Sequence, residues 1–178
     1  MSRLVVQLAK NAQRVLRCIL CSMNTPQKAD PAIYRSLREN ALKLRPNSLR
    51  NDAVHAVLMD WNVGNGTATV LAAADGSASI YLSSGGGYIG GGQKFPEIRE
   101  AALQAIQVAT SLLSQFKKTE TSNLPAEGEV FFYLTNNTGA HLAVATEVKL
   151  EAGTDPLGSL GEIMQQIISE YRLKFPQK

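Results

Sequence analysis

Three β-type segments, a glycine-rich crossing and one long amphipathic stretch follow one another between Ala53 and Phe116. No other feature of the chain limits its fold as much. Ala53-Val-His-Ala-Val-Leu-Met-Asp-Trp61 is apolar on both faces and predicts a strand covered on each side. Asn62 to Gly66 reads as a loop and Thr67 to Ala74 as a second strand. Asp75-Gly76 is a hairpin signal, so the third strand, Ser77 to Ser83, returns antiparallel. Alternation puts Ala78, Ile80 and Leu82 on one face of it, and Ser77, Ser79, Tyr81 and Ser83 on a more polar one.

Beyond Gly85-Gly-Gly-Tyr-Ile-Gly-Gly-Gly92, Phe95-Pro96-Glu97 opens a helix, with proline at a first helical position and an acid in the first turn. The helix is expected to run to about Phe116. Ile98, Ala102, Ala105, Ile106, Ala109, Leu112, Leu113 and Phe116 form its apolar stripe, and Lys117 and Lys118 suit its negative end. The small residues on that stripe would let it sit close to a sheet.

Either side of this unit the pattern continues. Arg3 to about Met23 reads as an amphipathic helix with Leu4, Leu8, Val15 and Ile19 on its apolar side. Asp30-Pro31 starts a second helix carrying Ile33, Tyr34, Leu37, Ala41 and Leu44, which Pro46 ends. Glu129 to Thr135 predicts a strand, Asn136 to Gly139 a turn, and His141 to Leu150 an antiparallel partner. Ser159 and Glu162 are spaced as a capping box for a last helix bearing Ile163, Ile167 and Tyr171.

The chain is 178 residues long, with 44% hydrophobic and 19% charged residues, which fits one globular domain with an attached arm. We read residues 1–29 as a basic amphipathic helical arm and 30–178 as a single α+β domain. The net charge of +3 hides an asymmetry: residues 1–50 sum to +8 and residues 51–178 to −5. The basic arm is therefore expected to dock on the body or on a second copy of it. Its composition also fits an anionic membrane surface or a mitochondrial presequence. Without interleaved aromatics or a DNA-binding motif, nucleic acid is not favoured as a partner. No run of 18 apolar residues suggests a membrane span.

The motifs that invite a chemical reading are weak. Gly85, Gly87 and Gly90 satisfy G-x-G-x-x-G, but the dinucleotide mechanism needs a parallel βαβ unit, and Asp75-Gly76 makes the preceding strand antiparallel. The Walker pattern fails because Gln93 stands where lysine is required. As a connector the crossing would tolerate alanine at Gly86 or Gly91 within about 1 kcal/mol, unless φ > 0 is needed. Cys18-Ile-Leu-Cys21 lies late in a basic helix, which suits buried thiols better than a zinc or redox site. Two cysteines make no disulfide scaffold, so a reducing, cytoplasmic setting is expected. His55 and His141 fall in strands, and no nucleophile, base and acid share a catalytic spacing. No metal or cofactor is expected. If the chain holds a small ligand, the expected site is the strand end at Asp60 and Trp61 together with Gly85, Gly86, Gly87, Tyr88 and Gly90.

The element order predicts α+β architecture: an antiparallel sheet of about five strands, packed by the long central helix and a C-terminal helix, with helices ahead of it. From Asp30 to Lys174 this order, with the Phe95–Phe116 helix, resembles the profilin-like group that includes roadblock and longin domains. The resemblance implies a non-catalytic dimerisation or scaffold module that binds itself or another protein. It assigns no functional residue.

Overall fold

The computed structural model describes residues 31–44, 53–64 and 66–176. The N-terminal arm, Cys18, Cys21, the Asp30 cap and Pro46 lie outside the described residues. The elements are α1 (Pro31–Leu42), β1 (Ala56–Asn62), β2 (Thr67–Ala73), β3 (Ala78–Leu82), β4 (Gly87–Tyr88), α2 (Pro96–Ser111), β5 (Lys117–Thr119), β6 (Glu129–Asn136), β7 (Gly139–Thr146), α3 (Glu147–Glu151) and α4 (Gly158–Lys174). The fold is α+β, as the element order predicts.

One antiparallel sheet runs β4-β3-β2-β1-β6-β7-β5. It has seven strands, not about five. The five long strands stand where the hydrophobic pattern places them, and two very short strands add an edge on each side. The Asp75-Gly76 turn forms as read: the Ala73 N–H donates to the Ser77 carbonyl, the Asp75 carboxylate accepts from the Ser77 N–H, and Gly76 supplies φ of 82°. Ala56 pairs with Ala73 on one side and Thr135 on the other, so β1 is the central strand. From Ala56 to Trp61 it is buried on both faces, as its unbroken apolar run requires.

Each face has its own core. Val57, Met59 and Trp61 of β1 join Val70, Ile80, Phe132 and Leu134 under α2 and α4. Ala56 and Leu58 join Leu71, Tyr81 and Tyr133 under α1. The side of β3 that alternation marks as polar is thus not solvated: Ser79 and Tyr81 are both buried, Tyr81 in the core under α1 and Ser79 accepting from the Gly90 N–H. In α4, Leu160, Met164 and Ile167 have no exposed surface. Each such side chain contributes about 1.5–3 kcal/mol by leaving water.

The ends of α2 and β7 and the start of α4 differ from the sequence expectation. α2 stops at Ser111, and Lys117–Thr119 becomes an edge strand paired with Leu142, His141 and Ala140. Leu112, Leu113 and Phe116 still reach the core, so their apolar spacing served packing beyond the helix end. β7 ends at Thr146, and Glu147–Glu151 turns into α3 instead of prolonging the strand to Leu150. Ser159 lies inside α4 and makes no capping bond, since the helix begins at Gly158 after Leu157. The buried line of α2 is Ile98, Ala101, Ala102, Ala105 and Ala109, with Ile106 half-buried on its flank.

That geometry fixes an expected outcome. Ala105→Asp places an unpaired charge at a position with no exposed surface and should abolish cooperative folding. Gln107→Asp, exposed on the same helix, should melt within a few degrees of wild type. Circular dichroism melts of both variants check this, and equal melts would refute the helix face.

Candidate functional site

Asp60 is the one charged residue of the central strand and lies in its buried stretch, and a carboxylate there must find partners or stay protonated. It has no exposed surface. Its Oδ2 accepts from Arg38 Nε at 2.8 Å and from Arg38 Nη2 at 2.6 Å, and its Oδ1 accepts from the Thr69 hydroxyl at 2.5 Å. Tyr34 in turn bonds Thr69 Oγ1 at 2.9 Å. α1 delivers Tyr34 and Arg38 four residues apart, which puts both on the helical face turned to the sheet.

Arg38 also reaches the chain ahead of β6. Its Nη1 donates to the Ser122 carbonyl and its Nη2 to the Asn123 carbonyl, while its guanidinium lies 5.1 Å from the centre of the Tyr133 ring. The Tyr133 hydroxyl donates to Asn123 O as well, and Asn62 Nδ2 to Pro125 O. Arg38 thus ties together α1, the central strand and Ser122–Asn123, and Asn62 holds the same segment at Pro125. Burial pushes the Asp60 carboxyl above the ordinary carboxylate range, against the pull of Arg38 and Thr69. Burial and the nearby Asp60 charge push the Tyr34 phenol up to about 12.

Trp61 points the other way. Consecutive strand residues face opposite sides of a sheet, so its ring enters the α2/α4 core and its Nε1–H donates to the Glu147 carboxylate. The glycine crossing is farther off still. β4 is three strands from β1, about 14 Å at the usual strand spacing. The structure therefore does not bring Asp60 and Trp61 together with Gly85, Gly86, Gly87, Tyr88 and Gly90.

The crossing is itself filled. A Cβ on Gly87 would stand 2.1 Å from the Ile80 carbonyl oxygen, and one on Gly91 would stand 2.4 Å from the Tyr171 hydroxyl. That hydroxyl accepts from the Gly91 N–H at 2.8 Å and donates to the Ala78 carbonyl at 2.6 Å. Burial holds the Tyr171 phenol up at about 12. Tyr88 stacks on Tyr171 and on Phe175 at 5.1 and 4.9 Å, and Phe95 meets Phe175 edge-on. The glycines are needed for close approach of backbone and α4, so Gly91→Ala should cost more than the 1 kcal/mol of a mere connector. Gly86, at φ of 80°, is strained by any side chain.

His55 is buried, and its Nε2 contacts Asn137 Oδ1 at 2.7 Å. His141 Nε2 lies 3.5 Å from the Thr138 hydroxyl. Among the described residues no three His, Cys, Asp or Glu side chains are placed to hold a metal, and no helix is long and apolar enough to cross a membrane. The chain matches no protein-family model, no curated protein and no solved structure.

Sequence reasoning singled out Asp60 but not Arg38, Tyr34, Thr69 or Tyr133. The available signal was the lone acid in a buried strand, which demands a cation from elsewhere in the chain. Which of the ten Lys and Arg residues in the first fifty answers it depends on the path of α1.

Two outcomes follow. Arg38→Met leaves a buried carboxylate unpaired and should lower unfolding free energy by about 3–5 kcal/mol, whereas Arg38→Met with Asp60→Leu should recover much of the loss. Urea denaturation measures both, and a double variant no better than the single would refute the pairing. At alkaline pH, the phenols of Tyr34 and Tyr171 sit above their ordinary value of 10.0 only in the folded chain. Their contribution is complete below pH 10 and is lost as pH climbs through 10 toward 12. Phenolate absorbance should show three of the five tyrosines titrating late, since burial raises the Tyr133 phenol as well, with unfolding as they ionise. Five ordinary titrations in folded protein would contradict this.

Proposed function

We propose that this chain is a non-catalytic protein-binding or scaffold domain that self-associates in the cytoplasm. The observation that carries the reading is the apolar corner beside the glycine crossing. Ile89 is 71% exposed and Phe175 39% exposed, and Phe175 stacks on the half-buried Tyr88. Leu173, at 73%, lies on the last turn of α4. Aromatic and aliphatic groups held rigidly at a surface are the usual centre of an interface. Lys174 pairs with Glu97 at 2.8 Å within the chain, and Lys94, Glu170 and Arg172 lie in the adjoining segments, so charge of both signs is present for two copies related by a two-fold axis to match.

The α+β layering supports a profilin-like reading. Three strands follow the central helix, as in the roadblock order, but four precede it where that order has two. Two further observations favour binding over chemistry: the Asp60 cluster spends its hydrogen bonds on the chain itself, and Tyr171 fills the space beside Gly91. The second reading is a small-ligand sensor at the glycine-rich loop 85–92, which would need Tyr171 or Phe175 to move aside.

Sedimentation velocity over a concentration series tests the proposal. Wild type should dimerise, and Ile89→Glu should remain monomeric with an unchanged melt. A wild type that stays monomeric throughout would overturn self-association. A small molecule retained in native mass spectrometry, and lost in Gly91→Ala, would favour the sensor.

A further inference from the structure

The two faces of the sheet are dressed unequally. α2 and α4 lie on one face. Among the described residues α1 is the one helix on the other. A helix about 10 Å across covers roughly two strand spacings, so five long strands need two helices for full cover. On the α1 face Val144 of β7 is left 52% exposed, with Phe131 and Leu142 half-buried beside it.

α1 also carries a second apolar line. Its buried side is Tyr34, Arg38, Ala41 and Leu42. Ile33 is 61% exposed and Leu37 half-buried, and with Leu44 just past the helix end they fall at i, i+4 and i+11. That spacing marks a single flank, about 100° round from the buried side. Leu4, Leu8 and Val15 repeat the same i, i+4, i+11 spacing, with Ile19 one turn further.

We infer that residues 4–23 pack along this flank of α1 as the first arm of a helical hairpin, in the same molecule. Seven residues, Asn24 to Asp30, join the two segments. Connections of two to eight residues are usual between antiparallel helices, and this one contains Pro26, which stops a continuous helix. A segment of this length, at 1.5 Å per residue, spans about 30 Å, enough to run the full length of α1 and past it. Charge agrees with the placement. Residues 3–23 carry Arg3, Lys10, Arg14 and Arg17 without an acid, whereas the segment from Thr119 to Glu129 that crosses the α1 face carries Glu120, Glu127 and Glu129 without a base. An apolar seam along α1 with the basic side turned outward toward those acids satisfies both patterns.

Hydrogen exchange followed by mass spectrometry on the full chain tests this. Amides of residues 4–23 should exchange at least tenfold more slowly than in the free peptide. Ile33→Glu should remove that protection while α2 keeps its own. An acid in the first turn favours α1 itself, so loss of protection would not stem from a broken helix. Leu44→Glu, at the other end of the flank, is the second variant and should act alike. Val148→Glu, on α3, should change nothing. An unprotected arm in wild type, or protection indifferent to Ile33→Glu and Leu44→Glu, would overturn the inference. So would protection lost on dilution, which would place the arm on a second copy, or protection gained only with anionic vesicles. Ile89→Glu keeps this test separate from self-association: it should leave the arm protected in the monomer.

Discussion

A charged group at the centre of a sheet leaves a fold little choice. Asp60 stands on the middle strand with cover on both faces, and an isolated carboxylate there would cost several kcal/mol. Arg38 resolves the problem with geometry. A guanidinium offers five N–H groups in a rigid plane, and here they reach the carboxylate and two backbone carbonyls. The carbonyls belong to Ser122 and Asn123, so the same cation that docks α1 also sets the course of the chain into β6. Neutral leucine at Asp60 could hold the strand, but it could not select one position for α1.

The opposite face is organised by size instead of charge. Ala101, Ala102, Ala105 and Ala109 bring α2 down close to the sheet, and Ile98 fills the space at its start. Tyr171 then closes the corner between α4 and the glycine crossing with one hydroxyl that both accepts and donates. Its ring replaces the side chains the glycines lack. Polar atoms at both faces are therefore used for placement, while apolar area supplies most of the driving force.

The strong elements were legible because their local signals agreed with their tertiary roles. Asp75-Gly76 demanded a hairpin, the two-sided apolar run of β1 demanded a central strand, and Pro96 with the alanine line demanded a close-packed helix. Lys117–Thr119 was not legible, since three polar residues become a strand only when β7 offers its free edge. The polar alternation of β3 misled for a related reason: Tyr81 looks solvated until α1, distant in sequence, lies over it. At the candidate site the acid was visible and its partner was not. Pairing between Arg38 and Asp60 is a product of chain path, which periodicity does not encode. The glycine run read as open backbone because Tyr171, some eighty residues on, carries no local mark of its destination.

The two ends of the sheet bear on how these molecules behave in a crowd. β4 is two residues long and glycine-bearing, and β5 is three residues long with two adjacent lysines. Neither offers a long row of unpaired amides and carbonyls, and bringing two β5 edges together would oppose four ammonium groups. The sheet cannot grow sideways into a continuous ribbon. Assembly is left to side-chain surfaces, whose shape limits how many copies meet, and the seven strands behave as a finished tile instead of a template.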